Sequence, residues 1–195
     1  MTTMQEPLAS QRIAILLANG FDERQLTGIQ RALVRAGARA RTVSPEQGLV
    51  NGWHGITWGH CFAVDLLLSE TLGSDFDMLL IPGGTRSIAR LMQTPHTRRF
   101  LGHFIDAGKP ISVVGEATHL FAGLSQARGL RLSAPETQHA PLQESGIVIV
   151  AEDICQDGAV LSGNGAQVDA WVDATLALFT DIATTPQELP ISEAA

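Results

Sequence analysis

Three short apolar runs constrain this chain more than any other feature of it. RIAILLANG (12–20), FDMLLIPGG (76–84) and PISVVG (110–115) each end in glycine, and a stretch of helical periodicity follows each one. Apolar runs of this length bounded by turn signals are the pattern of strands buried on both faces. Strands of that kind alternating with helices call for a mostly parallel sheet covered on both sides.

The segments between these runs agree with that reading. DERQLTGIQRALVRAG (22–37) places Leu26, Ile29, Leu33 and Ala36 on one helical face, and Gly37 stops it. ARARTVS (38–44) reads as a second strand, so the chain opens with a βαβ unit. TRSIARLM and HTRRFLGHFIDAG read as helices divided at Pro95, and EATHLFAGL reads as another helix. GIVIVAEDICQDGAVLSGN reads as two β segments around Asp157-Gly158. AQVDAWVDATLALFTD (166–181) carries Val168, Trp171, Val172, Leu176 and Phe179 at helical spacing, a stripe expected to pack into the core. The expected fold is therefore α/β, doubly wound, with a mostly parallel sheet sandwiched by helices. A single domain is expected over 12–181, between a disordered leader (1–11) and a disordered tail (182–195).

In such folds ligands sit beyond the carboxyl ends of the strands. Three of those ends, ANGFDE, IPGG and VVGEAT, are expected to lie together and form the site.

Composition removes several function classes. The formal net charge is −7, which argues against a sequence-blind grip on nucleic acid. With 45 % hydrophobic and 17 % charged residues the chain suits a globular protein. The two cysteines, Cys61 and Cys155, form no C-x-x-C pair, so neither a zinc knuckle nor a dithiol redox motif is expected. Residues 1–11 lack a basic region followed by an apolar run, and no apolar stretch reaches bilayer length. A cytoplasmic protein with reduced thiols, no membrane partner, no cofactor and no metal is the expectation.

Taken in order, AILLANGFDERQLTGIQRALVRAGARARTVS, FDMLLIPGG and GKPISVVGEATHLFAGL resemble the DJ-1/PfpI superfamily, within the class I glutamine-amidotransferase-like fold, over roughly residues 12–180. The resemblance implies a flavodoxin-like architecture and an elbow after the strand PISVV. Active members carry a Cys there, often followed by His, with an acidic residue reaching the thiol from the loop after the first strand. By motif these positions fall on Gly115, Glu116 and Asp22, with the oxyanion-hole backbone from Gly84 and Glu116. The nucleophile is missing. The GEA at the elbow is similar to the G-E-G of the C-terminal domain of large-subunit catalases, which carries no catalase chemistry and is associated with stability and assembly.

The candidate site residues are thus Asp22, Gly84, Gly115, Glu116 and His119. Glu116 has two roles open to it, a carboxylate at a helix start or one half of an acid/base pair with Asp22. Asp22 has the same ambiguity, since it can cap the helix beginning near Glu23. His119 follows the elbow by one helical turn. His54 and His60 are expected at a pocket mouth, while His96 and His103 are too far apart to chelate. Cys61 reads as a buried structural thiol, facing away from its neighbour His60 if that piece is a strand, and Cys155 has no base in view.

The leading expectation is a non-catalytic accessory, scaffold or chaperone-like protein linked to stress protection, forming a homodimer or larger assembly and engaging a protein client or partner. The alternatives are a Cys-independent hydrolase, lyase or glyoxalase-like enzyme using Asp22 and Glu116, and a small-ligand sensor using the vacated elbow.

Overall fold

The computed structural model describes residues 6–185. In chain order the elements are β1 (Arg12–Leu16), β2 (Phe21–Asp22), α1 (Glu23–Arg35), β3 (Arg39–Ser44), β4 (Leu49–Trp53), β5 (Trp58–Ala63) and β6 (Leu66–Leu67). There follow β7 (Met78–Ile81), α2 (Thr85–Met92), α3 (Pro95–Asp106), β8 (Ile111–Val114), β9 (Arg131–Leu132) and α4 (His139–Glu144). The chain continues through β10 (Val148–Ile149), β11 (Ile154–Asp157) and β12 (Val160–Gly163) to α5 (Val168–Thr184).

Seven strands form the central sheet in the order β11-β12-β8-β7-β1-β3-β6. Every pairing in it is parallel except the edge hairpin β11–β12, which turns at Gly158-Ala159, one residue later than expected, because Asp157 still pairs with Val160. After β1 the chain winds outward to β3 and β6, then returns to place β7, β8 and β12 on the other side. The switch point therefore lies between β1 and β7, where ligands collect in this class of fold.

Successive residues of the central strands feed opposite cores, as the two-residue period of a strand requires. Ala14, Leu16, Leu79, Ile81, Ile111 and Val113 join α2, α3 and the segment after β8 on one face. Ile13, Ile15, Leu17, Met78, Leu80 and Val114 join α1 and α5 on the other. The helical stripe of α5 meets the second core as expected, with Trp171 and Phe179 fully buried. A hydroxyl pair sits within that core: Thr175 donates to the Trp171 carbonyl at 2.7 Å, and Ser112 lies 2.7 Å from the Thr175 hydroxyl.

Three expectations change. Residues 7–10 form a turn whose Leu8 is fully buried and donates its amide to the Ala36 carbonyl at 3.1 Å, and α5 runs on to Thr184. Ordered structure thus begins before 12 and ends after 181; residues 1–5 of the expected leader and 186–195 of the expected tail lie outside the described residues. The EATHLFAGL helix is a tighter 3₁₀ segment over Gly115–Phe121. There the Thr118 hydroxyl donates to the Gly115 carbonyl at 2.9 Å, a local bond of the kind that competes with α-helical pairing. Finally, the region from 48 to 63, which reads in sequence only as short β-like pieces between Gly turns, is the hairpin β4–β5, with a register shift between Asn51 and Trp53, and β4 pairs with β2 to form a separate three-stranded sheet.

Candidate functional site: a closed elbow beside a Glu–His–His cluster

Strands β1, β7 and β8 are neighbours, so the three loops singled out by sequence converge at their carboxyl ends. Gly115 follows β8 with φ +60°, a left-handed backbone that glycine adopts without steric cost. A Cβ built there would meet only the Gln25 side-chain nitrogen, at 3.7 Å. The elbow thus keeps the conformation and the room for a side chain while carrying none.

Glu116 points across to the loop after β7, where its Oε2 accepts the Gly84 N–H at 3.0 Å. Gly84 is held tightly: its φ is +114°, and a Cβ would stand 2.6 Å from the Gly20 carbonyl and 2.7 Å from the Asp22 nitrogen. That amide is the one the family resemblance assigns to an oxyanion hole, and here it donates its hydrogen bond to a carboxylate of the protein itself.

Asp22 performs the capping role. Its Oδ1 accepts the Gln25 N–H at 3.0 Å, and its own N–H donates to the Gly83 carbonyl at 2.9 Å. Asp22 and Glu116 therefore meet the same glycine loop, yet each carboxylate is bound to a backbone donor, and among the described residues no hydrogen bond joins the two. His119 does not serve the elbow. It bonds the Gln138 side chain and lines a small hollow with Thr94, Thr97 and Arg98 beside α3.

Sequence reasoning passed over Gln25. It is buried one turn into α1, and its Oε1 accepts the Gly83 N–H at 2.7 Å while its nitrogen faces Gly115. One side chain thus ties α1 to the glycine turn after β7 and lies beside the one after β8. The signal was available, since Gln25 lies three residues after the capping Asp22 and is too polar for the apolar stripe around it.

A second constellation lies on the other side of Asp22. Glu23, the first residue of α1, is buried and inserts its carboxylate under the β4–β5 hairpin. Its Oε1 lies 2.5 Å from His60 Nδ1, and its Oε2 accepts the His60 backbone N–H at 2.8 Å and lies 3.3 Å from His54 Nε2. Burial presses this carboxyl toward its neutral form, but the hydrogen bonds from His60 and the charges of His54 and His60 outweigh burial, so its pKa falls below the ordinary glutamate value. Where the spacing alone offered no ligand set for a metal, folding brings these three side chains together. Beside them the Arg86 guanidinium lies 4.3 Å over the Trp53 ring and 5.6 Å from that of Trp58.

Cys61 corrects the sequence reading: it is exposed, not buried. Its sulfur accepts from the Asn51 side chain at 3.1 Å, while its neighbour His60 turns to Glu23, so the two do face apart. Cys155 is buried, and burial pushes its thiol pKa up.

Known proteins place this arrangement. The chain is similar to General stress protein 18 of Bacillus subtilis, 26 % identical over 172 residues that cover 87 % of this chain and 98 % of the relative. It is similar to Deglycase PfpI of Pyrococcus furiosus, 23 % identical over 162 residues, covering 83 % of this chain and 95 % of that one. In fold it matches a ThiJ/PfpI domain protein from Brachyspira murdochii with a TM-score of 0.79 at 16 % identity, over 89 % of this chain and 98 % of that one. No helix among the described residues is long and apolar enough to cross a membrane. The family model for DJ-1/PfpI matches residues 11–177, and with the parallel sheet, the left-handed elbow and the PGG loop in place, the chain belongs to the DJ-1/PfpI family.

Proposed function

We propose that this protein is a non-catalytic member of its family, an accessory or chaperone-like protein of stress protection. The observation that carries this reading is the Glu116 carboxylate on the Gly84 amide at 3.0 Å, beside an elbow residue with no side chain. Covalent catalysis at such an elbow needs a nucleophile and free donors for the charge that develops on the substrate oxygen. Here the first is absent and the Gly84 donor is taken. The name of the Bacillus relative supports a stress setting; the relatives named deglycases define the enzymatic reading to be tested against.

Self-association and a cytoplasmic setting belong to the same reading. Leu49, Ile56 and Trp58 expose 59 %, 92 % and 52 % of their surface on one hairpin, which supports burial against another chain. The two free cysteines fit a reducing compartment. A likeness to the catalase accessory domain, read from GEA, FDMLLIPGGTRSIARL and HFIDAGKPIS, belongs to the same proposal.

Turnover of glyoxal, methylglyoxal and simple amides and esters by purified protein, before and after thiol alkylation, is the deciding measurement. No turnover in either sample is expected, together with suppression of thermal aggregation of a model client. Turnover lost on alkylation would assign chemistry to Cys61 or Cys155 and overturn the proposal. Turnover that survives alkylation would overturn it in favour of Asp22 and Glu116.

A further inference from the structure

The geometry points to a divalent metal site formed by Glu23, His54 and His60, of the zinc class. One donor atom from each residue can be chosen so that all three lie within 4.8 Å of one another. Ligands at about 2.0–2.2 Å from a tetrahedral Zn²⁺ stand roughly 3.3 Å apart. The Glu23 Oε2 to His54 Nε2 spacing of 3.3 Å already meets this. His60 Nδ1 stands 2.5 Å from the other oxygen, Oε1, so a set built on Oε2 needs the His60 side chain, 82 % exposed, to turn away from Oε1.

The hairpin is shaped around the carboxylate. A Cβ on Gly52 would stand 2.4 Å from Glu23 Oε2, and one on Gly59 would stand 1.8 Å from it and 2.9 Å from His54 Nε2. Both glycines therefore leave room for the buried Glu23 side chain, 6 % exposed, which meets both imidazoles. The His60 backbone N–H, donating to Oε2 at 2.8 Å, orients the carboxylate from outside the ligand set, as outer partners do at metal sites. Two imidazole nitrogens and one carboxylate oxygen form a borderline donor set that suits zinc, nickel or copper better than calcium or magnesium. Three protein ligands leave a fourth position open, on the side where His54 and His60 are exposed. A metal here joins the hairpin to the start of α1, one residue from the cap Asp22.

This site is independent of the elbow and is tested without an activity assay. Tag-free protein, stripped with chelator, is titrated with Zn²⁺ by calorimetry and with Co²⁺ by absorption spectroscopy. The expected result is saturation at one ion per chain and the visible bands of four-coordinate cobalt. Loss of an outer partner typically weakens a metal site by about 10–100-fold, so His54→Ala and His60→Ala should each weaken binding by at least that much. His96→Ala, a histidine on α3 outside the cluster, should bind like the parent. Because both cluster histidines reach solvent, with 39 % and 82 % of their side chains exposed, their variants should fold even if Glu23→Gln does not. Absence of saturable uptake, or uptake unchanged in the His54→Ala/His60→Ala double variant, would overturn the proposal.

Discussion

The Glu116 carboxylate accepts the Gly84 backbone N–H at 3.0 Å, bridging the two loops that a nucleophilic elbow would keep apart for a substrate. This bond is structural in effect, because it fastens the segment after β8 to the loop after β7. Glu116→Ala leaves the Gly84 amide without its partner and is expected to destabilise the protein by about 1.5–3 kcal/mol, the range for a hydrogen bond to a charged group. Glu116→Gln keeps an acceptor oxygen and should cost less. Urea denaturation of both variants checks the order.

The elbow has room for what it lacks. Gly115→Cys places a Cβ 3.7 Å from Gln25 and otherwise clear of neighbours, at a φ of +60° that costs a non-glycine residue about 1–2 kcal/mol. The variant is expected to fold and to be alkylated at the new thiol. It should give no ester turnover while Glu116 holds the Gly84 amide, whereas Gly115→Cys with Glu116→Ala should give an acylation burst. A burst in the single variant would mean that Glu116 does not block the site.

The two natural thiols are expected to differ sharply. Cys61 is exposed on β5, while Cys155 is buried with its pKa pushed up, and the thiolate is the reactive form. A disulfide reagent should titrate one thiol in the native protein and two after denaturation, and Cys61→Ser should remove the native one.

Acid sensitivity should depend in part on Asp77. Burial works to raise its pKa, but the side-chain and backbone hydrogen bonds from Arg12 and the Arg12 charge outweigh it and leave the pKa below the ordinary value of 3.8. A carboxyl depressed in the folded state contributes stability that is present above its unfolded pKa and lost as pH falls through the folded value. The Asp77→Asn penalty should therefore be present at pH 6 and shrink below about pH 4. Urea midpoints of the two proteins across that range measure it.

Inside the second core, the Thr175 proton goes to the Trp171 carbonyl, so Ser112 must donate to the Thr175 oxygen. Thr175→Val orphans the buried Ser112 hydroxyl and is expected to cost about 1–3 kcal/mol. Adding Ser112→Ala should recover part of that loss. A thermal melt of the single and double variants decides it.

Sequence alone determined the parallel sheet, the helices α1, α2, α3 and α5, and the convergence of the three glycine loops. Those follow from period and punctuation: IAIL and MLLI are apolar at every position, and ISVV at all but Ser112, because both faces are covered, and such local patterns are written in consecutive residues. It also determined that Gly115 offers no nucleophile. What Glu116 does there was open between two roles, because a carboxylate's partner depends on which loop lies opposite. Only the tertiary structure put the Gly84 amide within its reach and gave Asp22 to the Gln25 N–H. The same holds more strongly for Glu23, His54 and His60. Glu23 is separated from the histidines by the rest of α1, β3 and β4, and it reads in sequence as an ordinary helix start. The hairpin folding over α1, with Gly52 and Gly59 clearing the space, is what makes three distant residues neighbours.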